Sequence, residues 1–321
     1  MLPAQLCKIE LGRNGVTGST LARLASALDV PVGALLGEVA PAEAAEGSEA
    51  PDDPQAGAHS RYMSVIRGAG HMRAVREKVA AWDREICAAE DRLGMHLESS
   101  VQLVYPYGRD ERAAEAVARE VRGSLGLGRQ TVIGLKAALE GAGVRIVSVS
   151  APKTFQSVSF YNPVRRTLLI ALNSSNTAER DAYRLAYELG AAVLFASSGF
   201  RAVADEGVAH RFLRSFSAAF LMPEESVRAE VANLGIRPDG WFMDALLFVK
   251  ERFGVSAESF AMRLESLGLI TPSLRQALRD RLHEYYTLNP DDREPRPKKG
   301  ISRLEILKAV EGTIIISERT R

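Results

Sequence analysis

Cysteine and histidine are scarce in this chain of 321 residues. The two cysteines, Cys7 and Cys87, stand far apart, which excludes a disulfide framework and a C-x-x-C metal pair. The five histidines occupy positions 59, 71, 96, 210 and 283, no two of them four apart, so no helix carries the i, i+4 histidine pair that grips zinc. Long apolar runs are absent too. A bilayer span needs roughly 18 such residues, and the best candidate, Ala192-Val193-Leu194-Phe195-Ala196, is far shorter. Met1–Glu10 includes Lys8 and Glu10 and lacks the apolar core of a secretion signal. Neither sign of charge dominates: 41 Lys and Arg face 40 Asp and Glu, a net charge of +1. A basic coat for nucleic acid is thereby excluded for the whole surface, though not for a local face. Leu125-Gly126-Leu127-Gly128 is not followed by the Gly-Lys-Ser/Thr of a phosphate loop. There is no internal repeat. The expectation is a soluble cytoplasmic protein without membrane contact.

What is present is ordinary globular material, 46% hydrophobic and 25% charged. Its length suits two domains at about 150 residues each. Residues 2–37 read as helices around a turn at Leu11-Gly12-Arg13-Asn14-Gly15, followed by a helix capped by Ser19-Thr20 with Leu21, Leu24, Ala25 and Leu28 on one face. Residues 39–58 hold Glu43, Glu46, Glu49, Asp52 and Asp53, three prolines and no Lys or Arg, the composition of an acidic, disordered linker.

A longer unit follows, from 59 to 288. Val75, Val79, Trp82, Ile86 and Leu93 mark one face of a first helix. Asp110–Leu125 predicts a second, with Ala114, Val117, Ala118 and Val121 inward, and Thr131–Ala142 a third. Val144–Val149, Ser157–Tyr161 and Thr167–Leu172 read as strands, with a turn at Asn162-Pro163. Helices are expected over Asn176–Phe195, His210–Leu221, 239–252 and 256–267. The last segment, 289–321, is a Pro- and charge-rich solvated loop, then a helix from Ser302 and a strand at Thr313–Ile316. Lys298-Lys299 beside Arg293 and Arg296 is balanced by Asp291, Asp292 and Glu294. Trp82, Trp241 and Phe242 are expected in the core. The class is α+β, mainly helical with a small antiparallel sheet.

Two resemblances follow. Lys8-Ile9-Glu10, Gly12-Arg13, Leu21-Ala22-Arg23-Leu24-Ala25 with Ala27-Leu28 and Val30, and Leu35-Leu36 make residues 1–38 resemble the later helices of an Xre/Cro-type helix-turn-helix. The resemblance implies that the helix through Gln5 and Lys8 lies in the major groove. There Gln5 can bond adenine, while Lys8 and Arg13 hold phosphates. Two departures stand out. The sequence begins where that family's recognition helix would begin, so a start codon further upstream is expected. In addition, Lys8, Arg13 and Arg23 are offset by Glu10, Asp29 and Glu38. DNA is therefore the expected partner if the module is complete or a dimer completes it.

The second resemblance rests on Arg180-Asp181-Ala182-Tyr183-Arg184-Leu185-Ala186-Tyr187-Glu188-Leu189-Gly190-Ala191. This resembles the ImmA/IrrE-type metallopeptidase helix, Arg-x-x-Phe-x-Leu-Ala-His-Glu-Leu-Gly-His. Gly141-Ala142-Gly143-Val144, the strand ending Ile170-Ala171-Leu172-Asn173, Phe216–Pro223, Phe253-Gly254-Val255-Ser256 and Arg263-Leu264 with Leu267-Gly268 extend the likeness over about 110–270. It implies a zincin-like peptidase fold. At the family's two histidine positions this chain has Tyr187 and Ala191. At the third ligand position, thirteen before the Pro of Leu-Met-Pro, it has His210. Only Glu188, the general-base position, is retained. Such a set cannot build a tetrahedral catalytic zinc site. The expectation is thus no metal, no cofactor and no enzyme, with Glu188 and His210 facing each other as a buried ion pair. The reading is a DNA-binding regulator whose former cleft senses a small molecule or docks a protein. The alternatives are a metallo-endopeptidase cleaving a repressor, with Glu188 as catalytic base, and an antitoxin-like binding protein.

Overall fold

The computed structural model describes residues 69–96, 98–105, 111–129, 131–132, 134–162, 165–197, 206–292, 294–296 and 305–309. The expected helix-turn-helix with Gln5, Lys8 and Arg13, the acidic linker and the strand at Thr313–Ile316 lie outside the described residues. The chain divides into two compact units, one holding Val65–Ala89 and the other running on from Glu90. Most of helix α1 (Ala69–Leu93) belongs to the first. Its buried row is Val75, Val79, Asp83 and Cys87, four residues apart each time, whereas Leu93, expected inward, is 71% exposed. Fourfold steps follow one ridge of a helix, and Leu93 falls off that ridge.

The second unit begins with α2 (Glu111–Ser124), which buries Ala114, Val117, Ala118 and Val121 as its spacing predicts. Helix α3 (Leu135–Gly141) is shorter than the predicted Thr131–Ala142. Gly134, with φ 79°, is in the left-handed region, so the helix cannot extend back through it. At its far end Gly143 has φ 80°, and a Cβ there would strike the Glu98 carbonyl. A side chain is excluded on both counts.

Three strands follow: β1 (Arg145–Val149), β2 (Ser157–Asn162) and β3 (Thr167–Asn173). Their order is β1-β3-β2. The expected antiparallel sheet is instead mixed: β2 pairs β3 antiparallel, but β1 pairs β3 parallel, Ile146 opposite Ile170. The connection from β1 passes the end of β3 to reach the far edge. Asn173 holds it there, its buried Nδ2 donating to the carbonyls of Ala151, Pro152 and Phe155 at 3.1, 3.0 and 2.8 Å. Central β3 is buried at every position, which explains its unbroken apolar run. The turn between β2 and β3 is fixed by Asn162, whose Oδ1 accepts from the Arg165 amide at 3.1 Å.

Helices complete the unit: α4 (Ala178–Ser197), α5 (Glu206–Leu221), α6 (Glu224–Leu234), α7 (Met243–Phe253), α8 (Ala257–Ser266) and α9 (Pro272–Leu288). α4 packs on β2 and β3 and is crossed by α5, which also lies along α2. Residues 305–309 are helical as well, inside the helix expected from Ser302. Trp241 is in the core, edge-on to Phe260 at 5.9 Å, and Phe242 packs beside it. The loop after α9 departs from the solvated reading. Glu294 is 8% exposed, and its Oε1 accepts from the Ala257 amide at 2.7 Å and lies 3.2 Å from the fully buried Lys250 ammonium. Arg296 pairs with Glu251 and with Glu179. Among the described residues no helix is long and apolar enough to cross a membrane.

Candidate functional site

Helix α4 starts at Thr177, whose hydroxyl accepts from the Arg180 amide at 3.2 Å, and Glu179 and Asp181 place acids in its first turn. From Leu185 to Ala196 every residue is buried. Such a helix is enclosed by protein on all sides, so each polar group in that stretch must find a partner inside.

Tyr187, Glu188 and Ala191 lie in that buried stretch. Glu188 faces the sheet. Ser157 and Ser159, two apart on β2 and therefore on one face of the strand, donate their hydroxyls to its two oxygens at 2.7 and 2.8 Å. Burial pushes the Glu188 carboxyl above its usual range, and the two serine hydroxyls oppose that shift without cancelling it.

Tyr187 looks instead toward α5. Its hydroxyl lies 2.8 Å from Nδ1 of His210, with the ring centroids 6.5 Å apart. The Arg184 guanidinium stands 5.6 Å over the Tyr187 ring. Burial, then the neighbouring Glu188 and Tyr183, raise the Tyr187 phenol well above its ordinary value, so it is neutral at physiological pH. Ala191 is buried and brings no donor atom.

Two features hold α4 and α5 at this distance. Gly190, one turn from Ala186, lets Phe216 of α5 approach so closely that a Cβ would stand 2.6 Å from its ring. Phe212, Phe216 and Phe220 stack in a row along α5, at 6.1 and 5.7 Å. The crossing delivers His210 to Tyr187.

The structure therefore brings together Tyr187 with His210, and Glu188 with two serines. It does not form the expected Glu188–His210 ion pair. The two residues lie on different sides of α4, because successive positions on a helix point about 100° apart. Ser157 and Ser159 are not among the site residues expected from the sequence. Their only signal was a Ser-x-Ser alternation inside an otherwise apolar strand. Among the described residues no cluster of three or more His, Cys, Asp or Glu is placed to hold a metal.

Residues 139–265 match the peptidase family M78, described as the IrrE N-terminal-like domain. The match spans the sheet, α4 to α7 and nearly all of α8, and it falls within the stretch of about 110–270 over which the motifs resemble that family. No curated protein matches the chain.

Proposed function

We propose that this chain is a DNA-binding transcription regulator whose ImmA/IrrE-like domain binds a signal or a partner and does not hydrolyse peptides. One observation carries the reading: Glu188, at the general-base position, is buried against the sheet with both oxygens occupied by serine hydroxyls. A general base in a zinc peptidase must be ionised and free to take a proton from a metal-bound water.

The remaining residues do not fit a zinc ion either. A catalytic site needs three protein ligands. Ala191 supplies none, Tyr187 is a neutral phenol, and Nδ1 of His210 is engaged by that phenol. The DNA-binding half of the proposal is supported by the likeness of residues 1–38 to the later helices of an Xre/Cro-type helix-turn-helix, and a peptidase-like fold can serve recognition without hydrolysis.

The test is the metal content of gently purified full-length protein, wild type beside His210→Ala. Well under one zinc per chain is expected in both. Stoichiometric zinc that vanishes in the variant would overturn the reading and restore the peptidase alternative.

A further inference from the structure

Beside the Tyr187–His210 pair, helices α2, α4, α5, α6 and α8 enclose a cavity of about 590 Å³. That is within the roughly 300–1,000 Å³ of small-molecule sites. Part of its lining is apolar: Tyr183, Ala218, Met222, Leu267 and Met262, the last 50% exposed. A lone large apolar side chain in solvent is unremarkable, but here it rims a cavity whose inner wall is also apolar.

The charged lining is unequal. Four guanidinium groups, Arg211, Arg214, Arg228 and Arg263, face two carboxylates, Glu115 and Glu224. Both carboxylates are engaged. Glu115 pairs with Arg263, and Glu224 accepts from Arg228 at 2.8 Å. Arg228 further donates to the Leu267 carbonyl at 2.9 Å and Arg263 to that of Met222 at 3.0 Å. Arg211 and Arg214 remain. They are three apart on α5, hence neighbours on one face, and among the described residues neither has a carboxylate within ion-pair distance. Two like charges side by side repel unless an anion lies between them. Arg263, also in the lining, is 4% exposed, and its Nη2 is buried without a hydrogen-bond partner.

We propose that this cavity binds an organic anion, with Arg211 and Arg214 clasping its acidic group and Tyr183, Met222, Met262 and Leu267 receiving its apolar body. Guanidinium groups favour planar or tetrahedral oxyanions through paired donors, and the apolar part of the lining suits a ligand that also has an apolar body. The inference names the ligand class for the sensor reading and rests on that reading only for its regulatory meaning. Because Arg214 already bears on the Tyr183 and Tyr187 hydroxyls, an anion seated on it is felt at the Tyr187–His210 pair.

The test uses two probes that share a skeleton. 1-Anilinonaphthalene-8-sulfonate carries the anion, and N-phenyl-1-naphthylamine lacks it. Both are titrated by fluorescence into the full chain and into an Arg211→Ala/Arg214→Ala variant shown by circular dichroism to be folded. Both arginines are exposed, so the fold is expected to survive. The expected result is saturable one-site binding of the sulfonate, weakened about tenfold or more in the variant, with the neutral probe unchanged. Met262→Asp is expected to weaken both probes. Equal sulfonate affinity in wild type and double variant, or a parallel loss of both probes in that variant, would overturn the proposal. Neither outcome depends on DNA binding, so the regulator reading is judged separately by its own assay.

Discussion

At Glu188, burial and hydrogen bonding act in opposite directions on one carboxyl, and burial prevails. Below its ordinary value of 4.5 the group is protonated in folded and unfolded chains alike. As pH rises past that value the unfolded chain releases its proton first while the folded chain holds it. The Glu188 contribution is therefore fully present at low pH and is lost as pH climbs through the raised folded value. Glu188→Gln keeps the shape and can satisfy both serines, one by donating and one by accepting, but cannot ionise. The variant is expected to fold, to match wild type in urea midpoint near pH 4, and to overtake it progressively as pH rises above about 5. A wild type that outlasts the variant at the alkaline end would contradict the burial argument. How much of this was legible differs by residue. Tyr187, Ala191 and His210 were found by motif position alone. Ser157 and Ser159 were not, because which strand residues face a helix is set by packing between elements and not by local pattern.

At the scale of elements, the α4–α5 crossing rests on a missing side chain. Gly190→Ala places a methyl 2.6 Å from the Phe216 ring. Phe216 is fully buried between Phe212 and Phe220, so it has little room to yield. Overpacking of this kind costs about 1–3 kcal/mol. The expectation is a drop of that size in denaturant stability, partly relieved when Phe216→Leu is combined with it; full additivity of the two would argue against direct contact. Most helices are legible in apolar spacing, α2 down to its four inward residues, but α6 and α9 are not among the helices the spacing predicts. The pairing direction of β1 was not. Alternation shows that a segment is a strand, while parallel or antiparallel pairing depends on where the chain goes next, and here Asn173 holds that route from outside the strand. The start of α3 failed for a different reason: Gly134 reads as a tolerated helix residue until its backbone is seen to be left-handed.

For the whole molecule, the charged stretch after α9 was read by composition as solvated, yet Glu294 ties it to the core. Its carboxylate meets Lys250, the Ala257 amide and the Tyr286 hydroxyl. Removing the Glu294 carboxylate leaves Lys250 with Glu251 alone, 3.0 Å away, and takes the acceptor from the Ala257 amide and the Tyr286 hydroxyl. Glu294→Ala is expected to cost about 3 kcal/mol in chemical denaturation, and Glu294→Gln less, since the amide oxygen still accepts from Ala257. A loss below about 0.5 kcal/mol for the alanine variant would return the stretch to the status of an ordinary surface loop. At the other end of the chain, the regulator reading predicts that Gln5→Ala/Lys8→Ala abolishes operator binding in a gel-shift assay without changing the fold. The Gln5 base contact alone is worth about 1–3 kcal/mol of discrimination, and unchanged affinity would remove this helix from the groove.

The two separate partnerships on α4 also set the terms on which this chain could change. Tyr187→His alone gives one imidazole with no companion at 191, and it breaks the bond to His210. Ala191→His alone puts a large polar ring into a site that is 8% exposed. Glu188 stays held by its serines in either case. Every single substitution toward a metal site thus loses something and gains no ion. Reaching three ligands on these two helices from this sequence therefore takes at least two simultaneous changes, at 187 and 191, beside His210.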